Sequence, residues 1–179
     1  EQLDSPTLAD DMLLAYRCGS GPAKVAERAL GLRIAKLPPN GYSIEVARNK
    51  GRRLLLVAGG DLFGMLAGLA DALLHCELTK DGLLYRGGDR TEKPAFPLRY
   101  YWTWDHSTNW TLDDEGNQVH GCANAYLKRP ETFIEDYRRL VDHCIESRFN
   151  AVLIWGFLRE CHGGERFSYQ VSKYAADRG

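Results

Sequence analysis

The chain lacks an excess of either charge, any long hydrophobic run, and paired cysteines. Its 23 basic and 24 acidic residues over 179 positions leave a formal net charge of -1. No global field therefore draws it to nucleic acid or to an anionic membrane, and neither is expected as a partner. No apolar stretch reaches the roughly 18 residues that a membrane span requires. The opening Glu1-Gln2-Leu3-Asp4 has neither the basic end nor the apolar centre of a signal peptide. The compartment stays open: secreted or periplasmic if a signal was removed, cytoplasmic otherwise. Five cysteines (Cys18, Cys76, Cys122, Cys144, Cys161) are an odd number without a Cys-x-x-Cys pair, which argues against a complete disulfide framework and against a zinc ribbon. His120, Cys122, His143, Cys144, Cys161 and His162 do not follow metal-ligand spacing, and adjacent His143 and Cys144 fall on opposite sides of a helix. Neither a metal nor a cofactor is expected. Gly59-Gly60-Asp61 and Gly87-Gly88-Asp89 lack the remaining residues of a phosphate loop and read as turn and cap chemistry.

What is present in the first half is an alternation of strand and helix signals. Met12 to Arg17 reads as a strand, and Ser20-Gly21-Pro22 opens a helix that runs to Leu30 and stops at Gly31. A strand over Leu32 to Leu37 leads to the breaker Pro38-Pro39-Asn40-Gly41. Residues 42 to 58 then form a hairpin about Asn49-Lys50-Gly51, its second strand nearly all apolar and so central in a sheet. Asp61 is placed to cap a helix through His75 whose apolar face is Leu62, Phe63, Leu66, Leu69, Leu73 and Leu74. Gly64 and Gly68 would let that helix approach a sheet closely. Cys76 and Cys144 fall at apolar positions of predicted helices, where a thiol acts as a small hydrophobe. From Glu77 to Pro97 the chain turns polar and irregular, the mark of a domain boundary.

The second half changes character. Leu98 to His106 is an aromatic-rich strand, followed by a polar stretch too long for a simple connection. Pro130 starts a helix in which Phe133, Ile134, Tyr137, Leu140, Val141, Cys144 and Ile145 recur at helical spacing. Asn150 to Phe157 is a continuous apolar run, as expected of a parallel strand covered on both faces. A further helix spans about Ser168 to Asp177. Together these read as the opening β/α/β of a (β/α)8 barrel, a fold that needs about 250 residues, whereas about eighty lie between Leu98 and Gly179. The expected fold class is α/β: a small accessory domain with a mixed sheet and helices over residues 1–93, then the first β/α units of an incomplete TIM barrel over 94–179.

Barrel active sites are built at the C-terminal ends of the strands. There this chain carries Trp102, Trp104, Asp105, His106, Asn109 and Trp110 after the first strand, and Trp155, Arg159, Glu160, Cys161 and His162 after the second. Indole faces stack on sugar rings while carboxylates and amides bond hydroxyls, so the mixture suits a carbohydrate. The tryptophans serve equally as an aromatic plug. Asp105 and Glu160 also satisfy the formal requirement of glycoside hydrolysis for two carboxylates, about 5 to 5.5 Å apart for retention or 6.5 to 9.5 Å for inversion. A solvated loop glutamate is the plainer reading of Glu160.

Three stretches carry a family resemblance: Gly41-Tyr42-Ser43-Ile44-Glu45-Val46, Val57-Ala58-Gly59-Gly60-Asp61 continuing to Leu69, and Pro97-Leu98-Arg99 leading to Trp104-Asp105. Over most of residues 8 to 157 the chain resembles the front end of the barrel-type α-glucuronidases and, more distantly, the β-N-acetylhexosaminidases. After Asp105 it departs, reading His106-Ser107-Thr108-Asn109-Trp110. The resemblance implies a glycoside hydrolase whose catalytic carboxylates lie on later barrel strands, so none is assigned here and this portion is expected to be inactive alone. It also implies that Trp104 and Asp105 border a sugar subsite. Arg99, Trp104, Asp105, His106, Trp155 and Glu160 are the candidate substrate-binding residues. The expected partners are a carbohydrate substrate and the remainder of the chain's own barrel. The rivals are a non-catalytic sugar-binding or scaffolding module and a barrel enzyme of other chemistry, such as a lyase.

Overall fold

The computed structural model describes residues 11–31, 36–49, 51–80, 82–103, 130–154 and 164–179. The chain divides into two compact units, Glu1–Pro97 and Leu98–Gly179.

The first unit is α/β and built on a mixed sheet. Strand β1 (Asp11–Arg17) leads through helix α1 (Gly21–Leu30) to the hairpin of β2 (Tyr42–Asn49) and β3 (Arg52–Gly59). Helix α2 (Leu62–Leu74), the short hairpin of β4 (Cys76–Thr79) and β5 (Gly82–Tyr85), and β6 (Arg90–Glu92) follow. The sheet order is β1-β3-β2-β6, with β1 parallel to β3 and β2 antiparallel to both β3 and β6. The apolar β3 is central, as its composition requires. Pleating sends Tyr16, Leu54, Leu56 and Ala58 to one face, where Tyr16 and Ala58 cluster with Ala23 of α1 and with Leu37. It sends Tyr42, Ile44 and Val57 to the other, beneath α2, and all three are fully buried.

The ends of these helices follow local chemistry. The Ser20 hydroxyl accepts from Ala23 N–H at 3.3 Å, and Gly31, at φ 63°, closes α1 in the left-handed conformation. Asp61 works twice: one oxygen accepts from Gly64 N–H at the start of α2, the other from Asn40 N–H, both at 2.8 Å. It thereby ties the Pro38–Gly41 turn to the helix that packs beside it.

Four expectations for this unit are corrected. Helix α2 does not bury its leucines. Phe63, Gly64, Ala67, Gly68, Asp71 and Ala72 are buried, while Leu73 and Leu74 are exposed and Leu62, Leu66 and Leu69 are half-buried. The two glycines decide this. A Cβ at Gly64 would fall on the Gly41 carbonyl oxygen, and one at Gly68 would come 2.9 Å from the Tyr42 ring, so the helix lies too close to the sheet for leucines to fit between. Cys76 opens β4 rather than sitting in a helix. Residues 77–97 are not simply irregular, because β4, β5 and β6 lie there and β6 extends the main sheet. In place of a strand over 32–37, Lys36 and Leu37 are irregular, and residues 32–35 lie outside those described.

The second unit contains β7 (Tyr100–Thr103), α3 (Pro130–Glu146), β8 (Ala151–Ile154) and α4 (Gly164–Ala176). Strands β7 and β8 pair in parallel, Tyr100 beside Ala151 through Thr103 beside Ile154, with α3 in the crossover between them. This is a β/α/β unit. Ile134, Tyr137, Val141 and Cys144 of α3 are buried, as is Val171 of α4, which follows the helical spacing of α3. Helix α4 begins four residues before the expected Ser168. The expectation that β8 is covered on both faces is not met: Leu153 is 48% exposed.

Candidate functional site

The geometry of the candidate site starts from the β7–β8 register. Thr103 and Ile154 stand side by side at the C-terminal ends of the two strands. Of the six predicted substrate-binding residues, Arg99 is described; Trp104, Asp105, His106, Trp155 and Glu160 lie outside the described residues, as do Asn109, Trp110, Cys161 and His162. Trp102 is described and 51% exposed, on the same pleat face as Tyr100 and Leu153, at 56% and 48%. On the opposite face Tyr101 meets Phe149 edge to face, ring centroids 5.7 Å apart.

Arg99 sits at the other end of the pair from Thr103. Its N–H donates to Asn150 Oδ1 at 2.7 Å, and its carbonyl accepts from Asn150 N–H at 2.8 Å and Ala151 N–H at 3.2 Å. Its Nε–H donates to the Arg148 carbonyl at 2.7 Å. Arg148 is itself unusual, a non-glycine residue at φ 65°. The turn is a Schellman motif: Phe149 N–H bonds back to Cys144 O, and Arg148 N–H to Ile145 O. Glycine is usual at this position, since a Cβ there costs about 1 to 2 kcal/mol. These contacts of Arg99 join it to the α3–β8 turn at the N-terminal ends of the strands.

Two carboxylate networks were not anticipated from sequence. In the first unit Asp71, 4% exposed, accepts from the Tyr42 hydroxyl at 2.8 Å and from Arg90 Nη1 at 3.2 and 3.3 Å. His75 Nδ1 lies 3.5 Å from it. The signal was available: Asp71 is the sole charged residue of α2, and a buried carboxylate requires partners. Its oxygens are engaged by the fold, a structural role that fastens β6 to α2. In the second unit Asp142 accepts from the Tyr174 hydroxyl at 2.8 Å and from Arg178 Nε at 3.2 Å. The Arg178 guanidinium stacks 3.4 Å from the centroid of the Tyr174 ring. This group staples α3 to α4.

Two of the three described cysteines are buried enough to hold their thiols protonated. Burial pushes the thiols of Cys18 and Cys144 above their ordinary range, away from the thiolate that reactivity needs. Burial, reinforced by Glu45, raises the Tyr16 phenol to about 12. No group of three or more His, Cys, Asp or Glu side chains able to hold a metal ion occurs among the described residues.

No protein-family model and no curated protein sequence matches the chain. Among solved structures, that of CpGH84B, a family 84 glycoside hydrolase, is similar to it with 13% identity and a TM-score of 0.49, over 87% of this chain and 24% of that one. The chain thus spans about a quarter of the length of that structure. A likeness at this level assigns no activity.

Proposed function

We propose that this chain belongs to a carbohydrate-active hydrolase of O-glycosidic bonds in oligo- or polysaccharides, with an α/β accessory domain ahead of a (β/α)8 barrel that begins at β7. The observation that carries the reading is the parallel register of Thr103 beside Ile154. The chain continues from Thr103 into Trp104-Asp105-His106, and from Ile154 into Trp155 and on to Glu160. Two strand ends that start side by side thus lead into indoles, carboxylates and an imidazole, the chemistry that stacks on and hydrogen-bonds a sugar.

In this reading Trp104 and Trp155 are stacking platforms, while Asp105, His106 and Glu160 hold hydroxyls. The acid that protonates the glycosidic oxygen, and the group that attacks the anomeric carbon, belong to later barrel strands. None of the present residues is assigned either role. The remaining barrel strands are the proposed partner of β7 and β8, whose shared face carries exposed Tyr100, Trp102 and Leu153. A parallel pair is stable when both faces are covered. Nucleic acid and membranes are not proposed partners; no described helix is long and apolar enough to cross a membrane.

The same exposed aromatic face favours one rival, a non-catalytic sugar-binding module. The separating experiment measures hydrolysis of a panel of aryl glycosides, including glucuronides and N-acetylhexosaminides, by the whole source protein. Calorimetry with soluble oligosaccharides on this chain runs beside it. Turnover that falls at least tenfold in Asp105→Asn supports the hydrolase. Oligosaccharide binding without turnover supports the module, and neither binding nor turnover overturns both.

A further inference from the structure

We propose that Arg99, Asn150 and Arg148 form a register lock: a polar device at the N-terminal ends of β7 and β8 that fixes which residues stand together at the opposite ends. Arg99 is then a positioning residue that never touches sugar. The inference rests on the reading of those opposite ends as the sugar site, but the lock itself is tested without reference to activity.

The need for a lock follows from the burial pattern. Register in a sheet is usually enforced by one buried face, because a slip by one residue turns every apolar side chain outward. A slip by two keeps each side chain on its own face and escapes that control. Here the strands are only four residues long, and both faces of β7 are substantially open, with Tyr100 56%, Tyr101 39% and Trp102 51% exposed. Apolar burial therefore discriminates weakly between the observed pairing and its two-residue neighbours.

The polar contacts discriminate well. Asn150 binds both backbone polar groups of Arg99: its side-chain oxygen takes the N–H at 2.7 Å, and its own N–H bonds the carbonyl at 2.8 Å. If β7 slipped so that Pro97 stood beside Asn150, there would be no N–H to donate, since proline has none. If it slipped the other way, Tyr101 would stand there. The Arg148 carbonyl, now held by Arg99 Nε at 2.7 Å, would then lose its donor. The left-handed Arg148 at φ 65° is what turns that carbonyl toward Arg99. Sequence and conformation on both strands thus single out one pairing. Its consequence at the far end is Thr103 beside Ile154, the residues that precede Trp104 and Trp155 in the sequence.

Cysteine cross-linking reads the register directly. Tyr101→Cys with Val152→Cys reports the observed pairing, since neighbouring strands lie about 4.8 Å apart, within the Cα separations that a disulfide spans. Thr103→Cys with Val152→Cys reports the slipped one, since those positions are about 8 Å apart from a spacing of about 4.8 Å and a rise of about 3.3 Å. Each pair is oxidised in the full chain and identified by peptide mass mapping, so that the native cysteines do not confuse the result. With the lock intact, the 101–152 bond forms and the 103–152 bond does not.

Arg99→Met combined with Asn150→Ala is expected to cut the 101–152 yield at least fivefold and to make the 103–152 bond appear. Asn150→Asp, which keeps the acceptor, is expected to restore the wild-type pattern. An unchanged 101–152 yield in the double variant overturns the lock. So does loss of hydrogen-exchange protection throughout α3 and α4 in Asn150→Ala, which would mark the contact as general stabilisation. A normal cross-linking pattern in a source protein that turns over no glycoside would leave the lock standing and remove the proposed function instead.

Discussion

The two units treat their sheets in opposite ways. In the first, α1 and α2 cover the two faces of a four-stranded sheet, and Tyr42, Ile44, Leu54 and Val57 are at most 1% exposed. In the second, two short parallel strands leave Trp102 and Leu153 about half exposed, and burial is concentrated in the helices, at Ile134, Tyr137, Val141, Cys144 and Val171. The first is held by close packing, through glycines that admit close approach, around one buried carboxylate, Asp71, that accepts from Tyr42 and Arg90. In the second the directed polar contacts lie nearer the surface: Asn150 and Arg148 on Arg99, and Tyr174 and Arg178 on Asp142.

The sharpest way to break this contrast is at Asp71. Asp71→Ala removes the acceptor of the buried Tyr42 hydroxyl and the carboxylate beside the partly exposed Arg90, and taking the partner from a buried polar group costs about 1 to 3 kcal/mol. Urea unfolding followed by hydrogen exchange should show β6 and α2 losing protection while α3 and α4 keep theirs; equal loss in both units would refute Asp71 as a fastening of β6 to α2 in particular. Gly64→Ala comes next. Its methyl meets the Gly41 carbonyl, and overpacking of this kind costs about 1 to 3 kcal/mol, read as a lowered Tm. An unchanged Tm would show that α2 can lift from the sheet, and would remove close approach as the reason its leucines are exposed.

Alkaline pH tests the same unit. The Tyr16 phenol is raised from about 10 to about 12 in the fold, so its contribution to stability is fully present below pH 10 and is lost as pH rises toward 12. The loss is on the order of 2 kcal/mol, and Tyr16→Phe should flatten it relative to the parent when unfolding is measured at pH 9, 10.5 and 11.5. Parallel slopes in the two proteins would refute the assignment to Tyr16. The smallest effect lies in the second unit. Arg148→Gly relieves a left-handed arginine and should raise stability by about 1 kcal/mol. A loss instead would mean that the Arg148 side chain contributes more than its backbone strain costs.

Legibility differed between the units for physical reasons. The caps at Ser20, Gly31 and Asp61 were readable because capping is local chemistry, settled within three or four residues. So were the central position of β3 and the helical spacing of α3. The buried face of α2 was not readable from hydrophobicity, which favoured the leucines. Small residues bury more completely when the helix lies flat on a sheet, and that distance is a property of the pair. Strand β6 was hidden in a polar stretch because its order depends on partners elsewhere, Asp71 for Arg90 and the Tyr42–Ile44 backbone, whereas β4 and β5 pair locally with each other. Of the six candidate site residues Arg99 lies among those described, and its contacts were not foreseen, since nothing local in Pro97-Leu98-Arg99 announces Asn150.

The sequence by itself determined the strand–helix alternation from β1 to α2, the β2–β3 hairpin, the amphipathic α3, and the aromatic and acidic residues that follow Thr103 and Ile154. These depend on periodicity and on side chains within one turn of the backbone they serve. Only the tertiary structure decided which face of α2 is buried, that Asp71 is held by Tyr42 and Arg90, and that Arg99 grips the turn before β8. Each of those joins residues about 20 to 50 positions apart, and a contact of that kind exists only once the chain has brought both ends to one place.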